Sequence, residues 1–298
     1  HGACMNPDRR FAAVFARRPG DYLWIVDTVD GSVVNKITAV ENRHYYGHGV
    51  YTADGRYLLC SENAFDRDNG CIGVYDVAEG YRRVREFPSY GIGPHEIKIL
   101  PNTSILAIAN GGISTHPDLP RIKRNIETMR PNLAYVDIHS GSLLESIEPP
   151  TSWHKLSIRH IDVARDGTVA IAMQFQGGVT ERPPLVAIHR RGGEMRMLRA
   201  PEAIQKDMYN YCGSVVFNEQ QDRFFVSSPR GGLATSWSIA GEFLGSFVQA
   251  DVCGLASVNE KIIASDGTGA MQQWGANYKL AKRRFYEGVR WDNHMIVL

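Results

Sequence analysis

The sequence predicts an all-β fold, a single β-propeller of four-stranded blades. Two recurring phrases and one period predict it. In the first phrase a His or Cys lies six residues before a turn residue. His48 precedes Asp54-Gly55 and the apolar run Tyr57-Leu58-Leu59-Cys60, and His160 precedes Asp166-Gly167 and Val169-Ala170-Ile171-Ala172. Cys212 and Cys253 stand in the same way before Asn218 and Asn259. In the second phrase a strand ends at a polar residue and a glycine follows four later, as at Asp27 and Gly31, Asp76 and Gly80, Asp137 and Gly141, and His189 and Gly193. The markers at 48, 95, 160, 212, 253 and 294 are 47, 65, 52, 41 and 41 residues apart. Blades of the WD40/YVTN-like kind repeat every 40–50 residues or so.

Taken in order, residues 1–10 read as an amino-terminal tail, and Phe11 to Ile37 as three strands lacking a first one. Short β-rich runs bounded by Gly, Asp and Asn then read as antiparallel strands joined by tight turns. The 65-residue gap carries an insertion, residues 111–131, which contains Arg121-Ile122-Lys123-Arg124-Asn125 and is expected to hold a short helix. His294–Leu298 reads as a first strand with no blade behind it. It is expected to pair with Phe11–Ala16, closing the ring and hiding the sheet edge. Six blades result, with seven as the alternative, in one domain over residues 1–298.

Bulk properties exclude several classes. Lysine plus arginine minus acids is 33 − 32 = +1, so no basic surface for nucleic acid or membrane is expected. The apolar runs are strand-sized, well short of the roughly 20 residues of a membrane span. Five cysteines form no CxxC pair, which removes a zinc ribbon. Cys60 and Cys71 flank a hairpin and read either as a disulfide or as two free thiols. The start at His1-Gly2-Ala3-Cys4 reads as a processed or trimmed product. An amino-terminal His can ligate copper, but His1 is more simply a cloning remnant. No GxSxG elbow, phosphate loop or HExxH occurs.

In a propeller the first strand of each blade lines the channel. The recurring slot therefore aims His48, His95, His160, Cys212, Cys253 and His294 at one axis. A single such His is most often a hydrogen-bonded loop anchor, and a buried Cys a small apolar residue. Six slots filled only with His and Cys point instead to a transition metal ion, copper or iron first and zinc after them. His116, in Asn110-Gly111-Gly112-Ile113-Ser114-Thr115-His116-Pro117-Asp118, is a further candidate ligand with Asp118, against the plainer reading of a solvated loop. Glu96, Arg159 and Asp292 flank ring positions and are candidates to orient the imidazoles. The amides of Met173-Gln174-Phe175-Gln176-Gly177-Gly178 either contact a ligand or end a strand. His139, His154 and His189 read as surface residues.

At Gly47-His48-Gly49-Val50-Tyr51, Gly93-Pro94-His95-Glu96-Ile97, Ala109 to Asp118 and Thr128-Met129-Arg130-Pro131-Asn132-Leu133, the chain resembles a bacterial family, domain of unknown function 1513. The likeness runs from about Phe11 to the end. It implies an exported, periplasmic propeller, often with a twin-arginine leader, whose genes neighbour imelysin-type iron-uptake components. It supplies no catalytic residues. More distantly, the axial His ring resembles the copper-cluster propeller of nitrous oxide reductase and the copper-dependent methanethiol oxidases, although fold alone does not carry function.

The reading expected from all this is a periplasmic metal-binding propeller with an axial His/Cys site, serving iron or copper handling with uptake proteins as partners. Two alternatives stand beside it: a metal-dependent hydrolase or oxidoreductase at the channel mouth, and a metal-free interaction scaffold in an uptake system.

Overall fold

A computed structural model of the protein describes residues 1–17, 20–119 and 122–297. Among these residues, twenty-four strands form six four-stranded sheets, each meandering in chain order. The fold is a β-propeller with six blades, as the repeat spacing predicts. Helix among the described residues is limited to α1 (Glu202–Asp207) and three single 3-10 turns. No described helix is long and apolar enough to cross a membrane.

Two compact units divide the chain, His1–Ile158 and Arg159–Val297. The first unit holds three blades: β1 (Ala3–Met5) to β4 (Val33–Thr38), β5 (Arg43–Tyr51) to β8 (Arg82–Pro88), and β9 (Pro94–Ile99) to β12 (Leu143–Ile147). Between its first two blades Phe15, Leu23, Ile25, Tyr45, Leu58 and Tyr75 make one core. Leu59, Ile72, Val74, Ile97, Leu106 and Ile108 make another between the second and third. The second unit holds β13 (Leu156–Val163) from Arg159 onward to β16 (Arg196–Leu198), β17 (Ser214–Phe217) to β20 (Phe243–Val248), and β21 (Val252–Val258) to β24 (Leu280–Phe285). Its core gathers Phe225, Phe247, Leu255, Ile262 and Trp274.

The Asp-to-Gly phrase has a local cause. The Gly31 amide donates to the Asp27 carbonyl at 2.9 Å while the Asp27 carboxylate accepts from the Val29 amide at 2.9 Å. Asp137 repeats this with Gly141 and Ser140, both at 2.8 Å. Gly31 and Gly141 sit at φ +75° and +72°, a conformation nearly free for glycine and costly for residues with a Cβ.

The two chain ends depart from expectation. β2 (Phe11–Phe15) pairs with Ala3–Met5 on one side and with β3 (Tyr22–Asp27) on the other. The first blade is thus completed by residues read as a tail. No strand spans 291–297, and Leu298 lies outside the described residues. The sequence 294–298 misled because five apolar-rich residues look like a strand whether or not a partner edge exists, and Ala3-Cys4-Met5 is too short to signal one. The short helix expected within the insertion is a single 3-10 turn at Ile126–Thr128, and Arg121 itself lies outside the described residues.

Candidate metal centre

Three of the slot residues ride on β-bulges. In the β5–β6 pair (β6, Tyr57–Ala64), Tyr45 opposes Glu62 and Gly49 opposes Cys60. Tyr46, Gly47 and His48 therefore face the single residue Ser61. In β9–β10 (β10, Ile105–Asn110), His95 and Glu96 face only Ala109. In β21–β22 (β22, Lys261–Asp266), Cys253 and Gly254 face only Ser265. Extra residues on one strand bend it and re-aim a side chain. The Ser61 hydroxyl donates to the His48 carbonyl at 3.1 Å, fixing the crest of the first bulge.

In the first unit the rings of His48 and His95 stand with centroids 4.5 Å apart, and His1 joins them at 5.1 and 5.6 Å. One nitrogen from each of the three lies within 4.8 Å of the others. His48 and His95 are buried and His1 is half-buried. Two Zn–N bonds of about 2.1 Å place their nitrogens at most about 4.2 Å apart, so an ion needs only a small inward rotation of the rings. Three imidazoles suit copper or zinc and leave further coordination positions open.

The third imidazole of this group belongs to His1, which the repeat spacing does not mark. Its backbone nitrogen donates to the Phe15 carbonyl at 2.6 Å, and the Gly2 amide donates to the Gly47 carbonyl at 2.9 Å. Gly47 adopts φ +97°, and a Cβ there would lie 2.5 Å from His1 Cδ2. No slot marks His1, because it precedes β1 and stands outside every repeat. The Arg17 guanidinium lies 3.4 Å from His1 Nε2. Arginine can only donate, so this nitrogen presents its lone pair to Arg17.

In the second unit His160 and His294 stand ring to ring at 4.8 Å. His160 lies within β13, whereas His294 comes from the irregular segment after β24, which passes its backbone 3.0 Å from the Cβ position of Gly254. Cys212 and Cys253 join no group of three candidate ligands among the described residues. The Cys212 thiol faces the Leu185 carbonyl at 3.8 Å and the Cys253 thiol donates to the Asp251 carbonyl at 3.0 Å. Burial pushes both thiols up to about 12. His116 also stays outside any group of three. Its Nδ1 accepts from the Asp118 amide at 3.3 Å, and its ring meets the Phe65 edge at 5.4 Å.

Glu96 pairs with Lys98 at 3.4 Å, and the Asp292 carboxylate accepts from the Asn293 amide at 2.7 Å. Arg159 is buried. The Gln174 amide donates to the Cys212 carbonyl at 3.1 Å and the Gln176 amide to the Gln174 carbonyl at 3.2 Å, which is how strand ends are tied off. His139 is exposed and His154 half-buried. His189 is a correction: it is buried, with Nε2 3.1 Å from the Gly193 carbonyl, because it closes a hairpin turn rather than facing solvent.

Glu62, Cys71 and Glu86 also lie within reach of one ion, but arginines already fill that place. Arg83 donates to both carboxylates at 2.7 Å, Arg43 to Glu86 at 2.9 Å, and the Tyr75 hydroxyl to Glu62 at 2.6 Å. Burial pushes Glu62 up, opposed by Arg83. Hydrogen bonding from Arg43 first, with Arg83 and Arg67 besides, holds Glu86 well below the usual carboxylate range. Cys71 and Cys60 are free thiols. Cys71 pairs across the strands with Glu62, and Cys60 with the glycine at 73.

A family described as protein of unknown function (DUF1513) matches over residues 1–298. No curated protein matches the chain.

Proposed function

We propose that this chain, which belongs to the DUF1513 family, is a transition-metal-binding propeller whose centre is built on His1, His48 and His95. The observation that carries the reading is the convergence of three imidazoles, one nitrogen each within 4.8 Å. The donor set contains no carboxylate, which favours copper or zinc; non-haem iron commonly takes two His and one carboxylate. His48 and His95 are held on bulges and His1 on a backbone joint, so the protein supplies three imidazole donors already close to binding distance. Bound there, an ion would offer open positions for carriage, exchange or Lewis-acid chemistry. His160 and His294 form a second imidazole pair that this reading also treats as metal-seeking. The location we propose is periplasmic, with metal-uptake proteins as partners, on the strength of the family resemblance.

Metal analysis of protein purified without a histidine tag tests this. About one equivalent of copper or zinc, lost on replacing His48 and His95 with Ala, is the expected result. Protein that takes up neither ion from solution would overturn the reading.

A further inference from the structure

The insertion that follows β10 is tied down on two sides, one at the bulge that bears His48 and the other at the turn just before the bulge that bears His95. On one side the Gly111 amide donates to the Gly93 carbonyl at 2.9 Å and the Gly112 amide to the Ile92 carbonyl at 2.8 Å. Gly93 lies two residues before His95. On the other side the Thr115 hydroxyl lies 3.1 Å from the Tyr46 hydroxyl, and both residues are buried. Tyr46 belongs to the same three-residue bulge as His48. The Asn63 amide adds a bridge, donating to the Thr115 carbonyl at 3.2 Å and to His44 Nε2 at 3.0 Å. Ser114 is fixed by its hydroxyl on Asp68 at 2.5 Å and by its amide on Asn125 Oδ1 at 2.8 Å.

Bulges interrupt the ladder, so ladder hydrogen bonds alone leave their crests less constrained than regular strand. His48 and His95 stand on bulges of different blades, and no strand pairing joins the two crests. We infer that the segment from Gly111 to His116 is a clamp that sets the spacing of these two bulges, with Tyr46 and Thr115 as positioning residues for the metal centre. This inference rests on the metal reading proposed above and adds to it the device that holds the ligands at binding distance. Groups that orient ligands commonly cost about 10–100-fold in metal affinity when removed.

Cobalt(II) alone is a suitable probe, because its visible bands report coordination geometry. Tyr46→Phe and Thr115→Val each delete one hydroxyl-mediated contact, and Thr115→Ser keeps it. The expected result is cobalt binding weakened about tenfold or more in the Phe and Val variants, with shifted bands. Thr115→Ser should bind and absorb as the parent does, and thermal midpoints should stay close to the parent's throughout. If Tyr46→Phe folds poorly, the Thr115 pair decides. Parental affinity and spectrum in both deletion variants would overturn the clamp while leaving the metal centre standing. A parent that binds no cobalt, copper or zinc would overturn the metal reading itself, and the clamp with it.

Discussion

Gly2 and Gly47 meet backbone to backbone, the amide of the first donating to the carbonyl of the second at 2.9 Å. A Cβ on Gly2 would lie 2.4 Å from the Gly47 oxygen, and one on Gly47 would lie 2.5 Å from the His1 ring. Two missing side chains are therefore what brings His1 to the His48 and His95 pair.

Gly47→Ala should expel His1 and leave two imidazoles. The residue also sits at φ +97°, where a side chain costs about 1–3 kcal/mol of stability. Metal affinity should fall to that of His1→Ala, and the double variant should be no weaker than either single one. Additive losses in a calorimetric titration would show that Gly47 acts on the site by another route.

Arg17→Met should tighten metal binding. The guanidinium holds the His1 Nε2 lone pair at 3.4 Å, and its charge opposes a dication nearby. At a few ångströms such repulsion is worth on the order of 1–4 kcal/mol near a protein surface; even about 1.4 kcal/mol is tenfold. Competition titrations should show a gain of about tenfold, and a loss would mean that Arg17 supports the ligand set.

Glu86 gives an acid signature. Its folded pKa is depressed by Arg43, Arg83 and Arg67, so its contribution is complete above the unfolded value of about 4.3 and disappears as pH falls through the folded one. Glu86→Gln should be less stable than the parent at pH 7. The gap should shrink steadily below about pH 5. Denaturant melts across that range would refute this assignment by showing a gap that does not change with pH.

Cys212 and Cys253 should behave as inert core thiols. Their folded pKa is raised to about 12 by burial, so the stability they leave intact at neutral pH is lost as pH rises from the unfolded value of about 8.5. Alkylation at pH 8 should be slow until denaturant is added, and Ser at either position should leave metal stoichiometry unchanged. Loss of metal in either variant would restore the thiols to the site.

Much of the fold was legible because blades repeat. Asp27 and Gly31, or Asp137 and Gly141, write their turn into the sequence through one carboxylate and one left-handed glycine. The register of His48, His95 and Cys253 was legible for the same reason, as the apolar run after each turn fixes where the inner strand lies. Short-range chemistry of this kind needs no partner to be read.

Long-range choices were hidden. Ala3-Cys4-Met5 became the first strand of its blade and His294–Val297 did not, because a strand exists only where an edge accepts its hydrogen bonds. The bulges at Gly47 and Glu96 are counts of residues between two strands, which neither strand records alone. Burial then separated like from like: it kept Cys212 and Cys253 protonated against backbone carbonyls, while a glycine joint far along the chain brought in His1. The sequence by itself determined the blades, their turns and the imidazoles on offer. Tertiary structure decided which nitrogens meet, because convergence depends on backbone contacts between residues such as Gly2 and Gly47, 45 positions apart.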